Sequence, residues 1–168
     1  VVKAINGKGL AGVSTGKVDE WTVTAKEAGL GGLAHIRIQP DQWKSPITKF
    51  FSEAEKAALT ERLQIEPGDL ILFAADQLDK VNTALGRLRL LAGAEAKVIP
   101  ADVFKLTWVT DFPLFEKNAD GSLSSMHHPF TSPNLDDVPL LDTDPGKVRA
   151  QAYDIVLNGT ELGGGSIR

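Results

Sequence analysis

Cysteine is absent from the 168 residues, which excludes disulfide bonds, cysteine-based zinc sites and a thiol nucleophile. The absence fits a reducing compartment, and we expect a cytoplasmic protein. No apolar run is long enough to span a membrane, so no membrane partner is expected, and no signal peptide is visible at Val1. The single methionine is Met126, so Val1 is not an initiator position and a fragment or processed product is expected.

Basic residues are scarce in the last part of the chain. Residues 1–103 carry 13 Lys/Arg and 13 Asp/Glu, whereas residues 104–168 carry 5 and 9 and supply the whole net charge of −4. Neither part has the basic surplus that is typical of a nucleic-acid-binding patch. Hydrophobic content of 42% and charged content of 24% are ordinary for a globular protein.

Residues 1–103 alternate predicted helices and strands. A helix is predicted from Ser14 to a stop at Gly29, and a strand over 33–38. Ser52 and Glu55 have the spacing of a capping box, which predicts a second helix that ends before Pro67-Gly68. The short apolar run 69–75 predicts a buried strand. Asp76 is the predicted cap of a third helix, whose apolar face is predicted to be Val81, Ala84, Leu85, Leu88 and Leu91.

The pattern changes after the stretch 93–102, which is the best candidate for a domain boundary. Residues 106–111 predict a strand, and 118–121 predict a hairpin turn. A proline-rich acidic loop covers 129–146. Two further strands, 152–157 and 161–168, are predicted to join at Asn158-Gly159.

Two glycine-rich stretches resemble phosphate-binding loops. Residues 7–12 match G-x-G-x-x-G between a short apolar run and a helix, but the next strand has no acidic residue that would bind a ribose. Residues 12–18 resemble a P-loop, yet their glycines are one residue too close and Val18 has no hydroxyl for magnesium. A glycine-rich turn is the favoured interpretation, and a nucleotide-binding enzyme using 7–12 is an alternative.

Three groups of residues have the chemistry of a site. His127 and His128 can both reach a ligand from a loop, or belong to an ordinary polar loop. Asp154 and Glu161 flank a predicted hairpin and can share one Mg²⁺, or are simply solvent-facing acids. Glycines 163–165 indicate a bulge, a flat surface for a ligand or a flexible hairpin. Arg168 follows them and can form a two-pronged contact with a carboxylate.

These elements occur in the order and at the spacing of a known family. The sequence resembles bacterial aspartyl-tRNA synthetases, which are class II aminoacyl-tRNA synthetases, in the runs 108–116, 127–133, 152–154 and 161–168. Residues 1–103 are similar to the insertion (GAD-like) domain of that family, which also occurs in tRNA-dependent amidotransferases. The resemblance implies an α+β fold. Its parts are a small insertion domain of mixed strands and helices over 1–103 and a partial antiparallel sheet of the catalytic domain over 104–168.

The resemblance also implies roles for individual residues. Glu161 is expected to bind ATP and its Mg²⁺, with Asp154 as the second metal carboxylate. His127 is expected to contact the substrate aspartate from a mobile loop that it shares with His128. Arg168 is expected to bind the side-chain carboxylate of aspartate and to reject asparagine, which lacks that charge. His127, His128 and Arg168 are thus the candidate catalytic residues.

The implied activity is that of an aspartate–tRNA ligase. L-Aspartate reacts with ATP to give aspartyl-adenylate, and the aspartyl group then passes to tRNA. The parent enzyme is expected to be a homodimer, whereas the isolated fragment is expected to be inactive. The alternative is a stand-alone module, residues 1–103, that binds tRNA or a protein without catalysis.

Overall fold

The computed structural model describes residues 1–168 and contains two compact units, Val1–Ala101 and Asp102–Arg168. The first unit contains β1 (Val2–Gly7), α1 (Thr15–Glu27), β2 (Ala34–Ile38), β3 (Trp43–Lys44), α2 (Glu53–Leu63), β4 (Leu70–Ala75) and α3 (Leu78–Glu95). The second contains β5 (Leu106–Thr110), β6 (Phe115–Lys117), β7 (Leu123–Ser125), α4 (Leu140–Thr143), β8 (Ala152–Leu157) and β9 (Thr160–Ser166). Helices and antiparallel strands confirm the predicted α+β class. No helix combines the length and apolar character needed to cross a membrane.

The first unit is built around β4, which is buried on both of its faces. The sheet has the strand order β1-β4-β2-β3, and every pair in it is antiparallel. Side chains alternate along β4, so Leu70 and Leu72 pack into the core with α1 and α3, whereas Ile71 and Phe73 pack on the α2 side. A strand buried on both sides needs apolar residues at every position, which confirms the prediction for this run.

In the first unit, the helix caps follow local sequence signals in two of three cases. Ser14 caps α1 by accepting from the amide of Lys17, and Ser52 and Glu55 form the predicted capping box of α2. The predicted cap of α3 is wrong. Gln77 occupies that position without a side-chain bond, while Asp76 accepts from the Gln77 amide and pairs with Lys80.

Two further details of α3 differ from expectation. Leu91 is 39% exposed, whereas Ala92 is buried, because the apolar stripe continues four residues after Leu88 rather than three. The helix also extends through Gly93 to Glu95, so the start of the expected boundary stretch is helical. The two units separate between Ala101 and Asp102. The assignment of 1–103 and 104–168 to particular functional domains stays a prediction.

The glycine-rich turn after β1 closes on a buried carboxylate. Asp69 is 2% exposed and accepts hydrogen bonds from the Asn6 side chain and from the amides of Gly9 and Glu66, at 2.8, 3.0 and 3.0 Å. Burial alone raises the pKa of Asp69, but these bonds, with a contact from Lys8, hold its pKa below the usual value. The Gly9 amide is therefore already used within the protein. β4 also lies between β1 and β2, whereas a dinucleotide loop joins two adjacent parallel strands.

The second unit has a three-stranded antiparallel sheet in the order β5-β8-β9 and a small β6-β7 hairpin. Asn158 and Gly159 have φ values of 48° and 85°, which is the left-handed pair that a tight two-residue turn requires. The turn predicted here is thus confirmed. The expected acidic loop is more ordered than predicted, since it contains α4 and single helical turns at Leu135–Asp137 and Pro145–Lys147.

Removing the Asp69 carboxylate is predicted to destabilise the first unit. Asp69→Ala removes three charge-assisted hydrogen bonds, from the Asn6 side chain and from the amides of Gly9 and Glu66, so the free energy of unfolding should fall by on the order of 3 kcal/mol. Urea unfolding followed by the fluorescence of the buried Trp21 measures the change. Glu66→Gln, at a side chain that is 74% exposed, should change it by less than about 0.5 kcal/mol. Equal effects of the two substitutions would contradict the central role of Asp69.

Candidate functional site

One open cavity in the second unit, about 460 Å³ in volume, is lined by every residue that the sequence nominated for a site. The nominated residues are His127, His128, Asp154, Glu161 and Arg168. Five other residues complete the walls: Met126, Ala152, Gly164, Gly165 and Ser166. The histidines come from the loop after β7, and the other three come from β8, β9 and the residues just after β9.

A bulge in β9 brings the two carboxylates to one face of the sheet. Asp154 pairs with Gly164 and Val156 pairs with Glu161, so β9 has one extra residue, Leu162, between these two pairs. Glu161 and Gly164 are three positions apart, and in a regular strand they would face opposite sides. The extra residue reverses that relation, so Glu161 faces the same side as Asp154.

The glycines of β9 make room for side chains of β8. A Cβ atom added at Gly164 would lie 2.1 Å from Asp154 Oδ1 and 2.8 Å from the Tyr153 carbonyl oxygen. A Cβ at Gly165 would lie 2.8 Å from the Tyr153 hydroxyl, whereas at Gly163 nothing lies within 4 Å. Asp154 thus lies directly on the backbone of β9. The sequence indicated close approach of a ligand here, but at two of the three positions the approaching groups belong to the protein.

The histidine loop is held at both ends. Before it, the Met126 amide donates to the Leu114 carbonyl at 3.1 Å. After it, the buried Thr131 contacts the Ser166 hydroxyl at 3.3 Å, and the Ser132 amide donates to the Ile167 carbonyl at 2.8 Å. The loop is therefore fastened to the residue that immediately precedes Arg168.

Within the loop, the two histidines have different surroundings. The ring of His127 meets Phe112 edge-on, with 4.9 Å between the ring centres. His128 accepts from the Phe130 amide through Nδ1 at 3.1 Å, so Nε2 is its nitrogen without a partner in the chain. Both side chains are exposed. The loop location that the sequence predicted for them is confirmed.

Sequence reasoning missed an ion pair that supports this loop. Arg149 donates to both carboxylate oxygens of Asp137, at 2.7 and 3.0 Å, and its backbone amide donates to the same group at 3.0 Å. The side-chain and backbone bonds from Arg149 lower the pKa of Asp137 to about 2. The Arg149 carbonyl in turn accepts from the Asn134 amide. Twelve residues separate the pair, and no local motif links them.

The cavity contains both acidic and basic side chains that have no partner within the chain and can therefore bind a ligand. The side chains of Asp154, Glu161, His127 and Arg168 make no hydrogen bond or ion pair within the chain. No three His, Asp or Glu side chains cluster closely enough to hold a metal ion on their own. Two carboxylates nevertheless suit Mg²⁺, which takes one or two of them and fills its other positions with phosphate and water. The residues present therefore fit Mg²⁺ only together with a phosphate-bearing ligand.

Comparison with known proteins gives two results. The GAD domain family matches residues 1–85. The chain belongs to the GAD domain family. The matched range lies inside the first unit, so the expected GAD-like character is confirmed for residues 1–85, and the bound at 103 stays a prediction.

The second result concerns the whole chain. It is 51% identical to the aspartate–tRNA(Asp/Asn) ligase of Opitutus terrae and 49% identical to that of Desulfatibacillum aliphaticivorans, with all of this chain covered in both. The ligase of Syntrophotalea carbinolica is also 49% identical over the whole chain. The chain spans only 28–29% of the length of these curated relatives. The resemblance to aspartyl-tRNA synthetases is thereby confirmed, with the GAD domain and the second unit in one continuous match.

Adding a methyl group at Gly164 is predicted to damage the second unit. Gly164→Ala creates contacts of 2.1 and 2.8 Å, which force Asp154 and the backbone of β8 to move. We expect the free energy of unfolding to fall by about 1–3 kcal/mol. Gly163→Ala is the matched control, since its new methyl group meets nothing within 4 Å. Urea denaturation compares the two variants, and similar stabilities would show that Gly164 is not needed for space.

The Asp137–Arg149 pair is predicted to make stability depend on pH in acid. Because the folded pKa of about 2 lies below the unfolded value, the stabilisation is complete above about pH 4 and is lost as the pH falls through 2. Asp137→Asn should therefore lower the urea midpoint at pH 5, and its difference from the parent should shrink towards pH 2. Asp142→Asn, at an exposed residue of α4, is the control. A pH-independent difference would refute the role of this ionisation.

Proposed function

We propose that this chain is a segment of an aspartate–tRNA ligase, which activates L-aspartate with ATP and transfers the aspartyl group to tRNA. The observation that carries the proposal is the single cavity of His127, His128, Asp154, Glu161 and Arg168. Relatives of about 50% identity that are named aspartate–tRNA(Asp/Asn) ligases support it. The activity belongs to the longer protein, since the chain matches less than a third of their length.

Arg168 is the proposed selector of the substrate side chain. A guanidinium donates two parallel hydrogen bonds to a carboxylate, and this charge-assisted pair is lost when the ligand carries an amide instead. Arg168 makes no ion pair within the chain, so its donors are free for the ligand. His127 and His128, from the loop fastened beside Arg168, are proposed to contact the remaining groups of the amino acid.

Asp154 and Glu161 are proposed to face the phosphates of ATP. Bound Mg²⁺ supplies positive charge that neutralises phosphate oxygens. The bulge in β9 lets both carboxylates contribute to one metal from the same face. Gly164 keeps Asp154 flat against the strand, which leaves space above it for the nucleotide. ATP is thus the proposed co-substrate and Mg²⁺ the proposed metal.

Activation of aspartate depends on the positioning of the reactants more than on proton transfer. The attacking group is the α-carboxylate of aspartate, which is already ionised at neutral pH. The task of the site is to hold this oxygen near the α-phosphate and to balance the charge there. A cavity that places a guanidinium and two imidazoles beside two carboxylates is suited to that task.

The architecture of the second unit supports a place within a class II catalytic domain. Its three-stranded antiparallel sheet carries the site on one face. The opposite face leaves Leu106, Trp108 and Tyr153 at 63, 61 and 40% exposure, as expected of a sheet that packs against further parts of a larger domain. A cytoplasmic location, a homodimeric parent and tRNA as the final acceptor belong to the same proposal.

Arg168→Lys is predicted to reduce aspartate activation strongly in the full-length protein. An ammonium group cannot form the planar two-pronged contact, so kcat/KM for aspartate should fall on the order of a hundredfold. The KM for ATP should stay within about twofold of the parent, because Arg168 is assigned to the amino acid. ATP–pyrophosphate exchange at varied aspartate and varied ATP measures both values.

Arg87→Lys is the matched control for this experiment. Arg87 is exposed on α3 in the first unit, and the same exchange of arginine for lysine should leave the kinetics unchanged there. Near-normal aspartate kinetics in Arg168→Lys would contradict the role of Arg168 in binding the substrate side chain. Absence of aspartate-dependent exchange in the unmodified full-length protein would overturn the proposed function as a whole.

A further inference from the structure

The outer edge of β1 is an unpaired strand edge with a defined hydrogen-bonding pattern. Val1 and Asp76 exchange both of their backbone hydrogen bonds, at 2.7 and 3.2 Å. In an antiparallel pair such exchanges recur at every second residue, so Lys3, Ile5 and Gly7 bond to β4. The amides and carbonyls of Val2, Ala4 and Asn6 therefore point away from the sheet. No other backbone group bonds to them.

A groove lies on each side of this edge. Between β1 and α2, a groove of about 440 Å³ is lined by Ala4, Leu59, Leu63 and Phe73. Between β1 and the end of α3, a groove of about 260 Å³ is lined by Ile5, Ala92, Ala96 and Val98. A strand added to β1 would send its side chains alternately to the two faces of the sheet. The two grooves are where those side chains would go.

Both grooves are basic as well as apolar. Lys3 and Arg62 line the first, and Lys8 and Arg89 line the second, while no acidic residue lines either. Lys8 is paired with Glu66 and Asp69, and Lys3 donates to the Asn82 side chain on α3 at 2.7 Å, whereas Arg62 and Arg89 have no partner within the chain. Residues 1–103 have equal numbers of acidic and basic residues, so this is a local concentration of positive charge. An occupant with carboxylate side chains complements it.

We propose that the edge of β1 is a docking site for an extended acidic peptide segment of a partner protein, which adds to the sheet as an outer strand. A peptide offers the donors and acceptors that Val2, Ala4 and Asn6 require, whereas a phosphodiester backbone offers acceptors alone. A second copy paired edge to edge would bring Lys3, Arg62 and Arg89 towards the same residues of its twin. That like-charge repulsion disfavours self-association through this edge.

Ala4→Pro tests the backbone part of the proposal. Proline removes the outward amide of Ala4 and places a ring on the edge, but it removes no bond to β4, so the domain should still fold. The probe is a fluorescent ten-residue peptide of alternating valine and glutamate, titrated against the full-length protein and followed by anisotropy. We expect binding at low salt that Ala4→Pro weakens at least tenfold, about the effect of losing one or two hydrogen bonds. Ala4→Ser keeps the amide and should bind within about twofold.

The charge part is tested with Arg62→Glu and Arg89→Glu combined, which should abolish binding of the acidic peptide. Arg87→Glu makes the same change on α3 outside both grooves and should have little effect.

Equal binding of a valine–lysine peptide, or binding of the valine–glutamate peptide that Ala4→Pro does not change, would overturn the proposal. Binding of a single-stranded RNA probe that Arg62→Glu and Arg89→Glu abolish but Ala4→Pro leaves unchanged would overturn the proposal in favour of RNA. A change of oligomeric state in Ala4→Pro would assign it to a second copy. Pyrophosphate exchange should be normal in every variant, which separates this surface from the ligase site.

Discussion

The pairing of β8 with β9 is the constraint on which the candidate site depends. One extra residue in β9 decides that Glu161 and Asp154 share a face, and one missing side chain, at Gly164, decides where the Asp154 carboxylate can lie. Neither effect needs a strong interaction. The first follows from the two-residue period of a strand, because a shift of one residue reverses every side chain beyond it. The second follows from the absence of a Cβ atom at Gly164. Charge in the cavity is therefore positioned by backbone geometry.

Interactions outside the cavity hold the histidine loop in place beside the end of β9. The Asp137–Arg149 pair fixes the acidic segment, and Asn134, Ser132 and Thr131 then connect it to the end of β9. A chain of backbone hydrogen bonds thus runs from an ion pair to the residue before Arg168. Asp137 is buried but Arg149 is 43% exposed, so the pair contributes more through the geometry that it imposes than through the energy of the ion pair itself.

The sequence predicted features that depend on neighbours along the chain. The capping box of Ser52 and Glu55 and the Asn158-Gly159 turn were found because their partners lie within a few residues. The cap at Asp76 was misjudged, since Asp76 bonds Gln77 and Lys80 instead. The roles of the site residues are predicted by the family resemblance, because their local sequence alone is equally typical of ordinary polar loops and strands. Gly164 and Arg149 have partners on other strands and loops, and only the register of the sheet reveals them.

The close approach of β8 and β9 also limits how position 164 can change in this protein family. The side chain at 154 can vary while glycine remains at 164, because glycine adds no atom there. A side chain at 164 meets the Tyr153 carbonyl oxygen at 2.8 Å whatever residue stands at 154, and it displaces the Asp154 carboxylate as well. A substitution at 154 therefore cannot prepare the way for one at 164, because the backbone of β8 by itself selects glycine there.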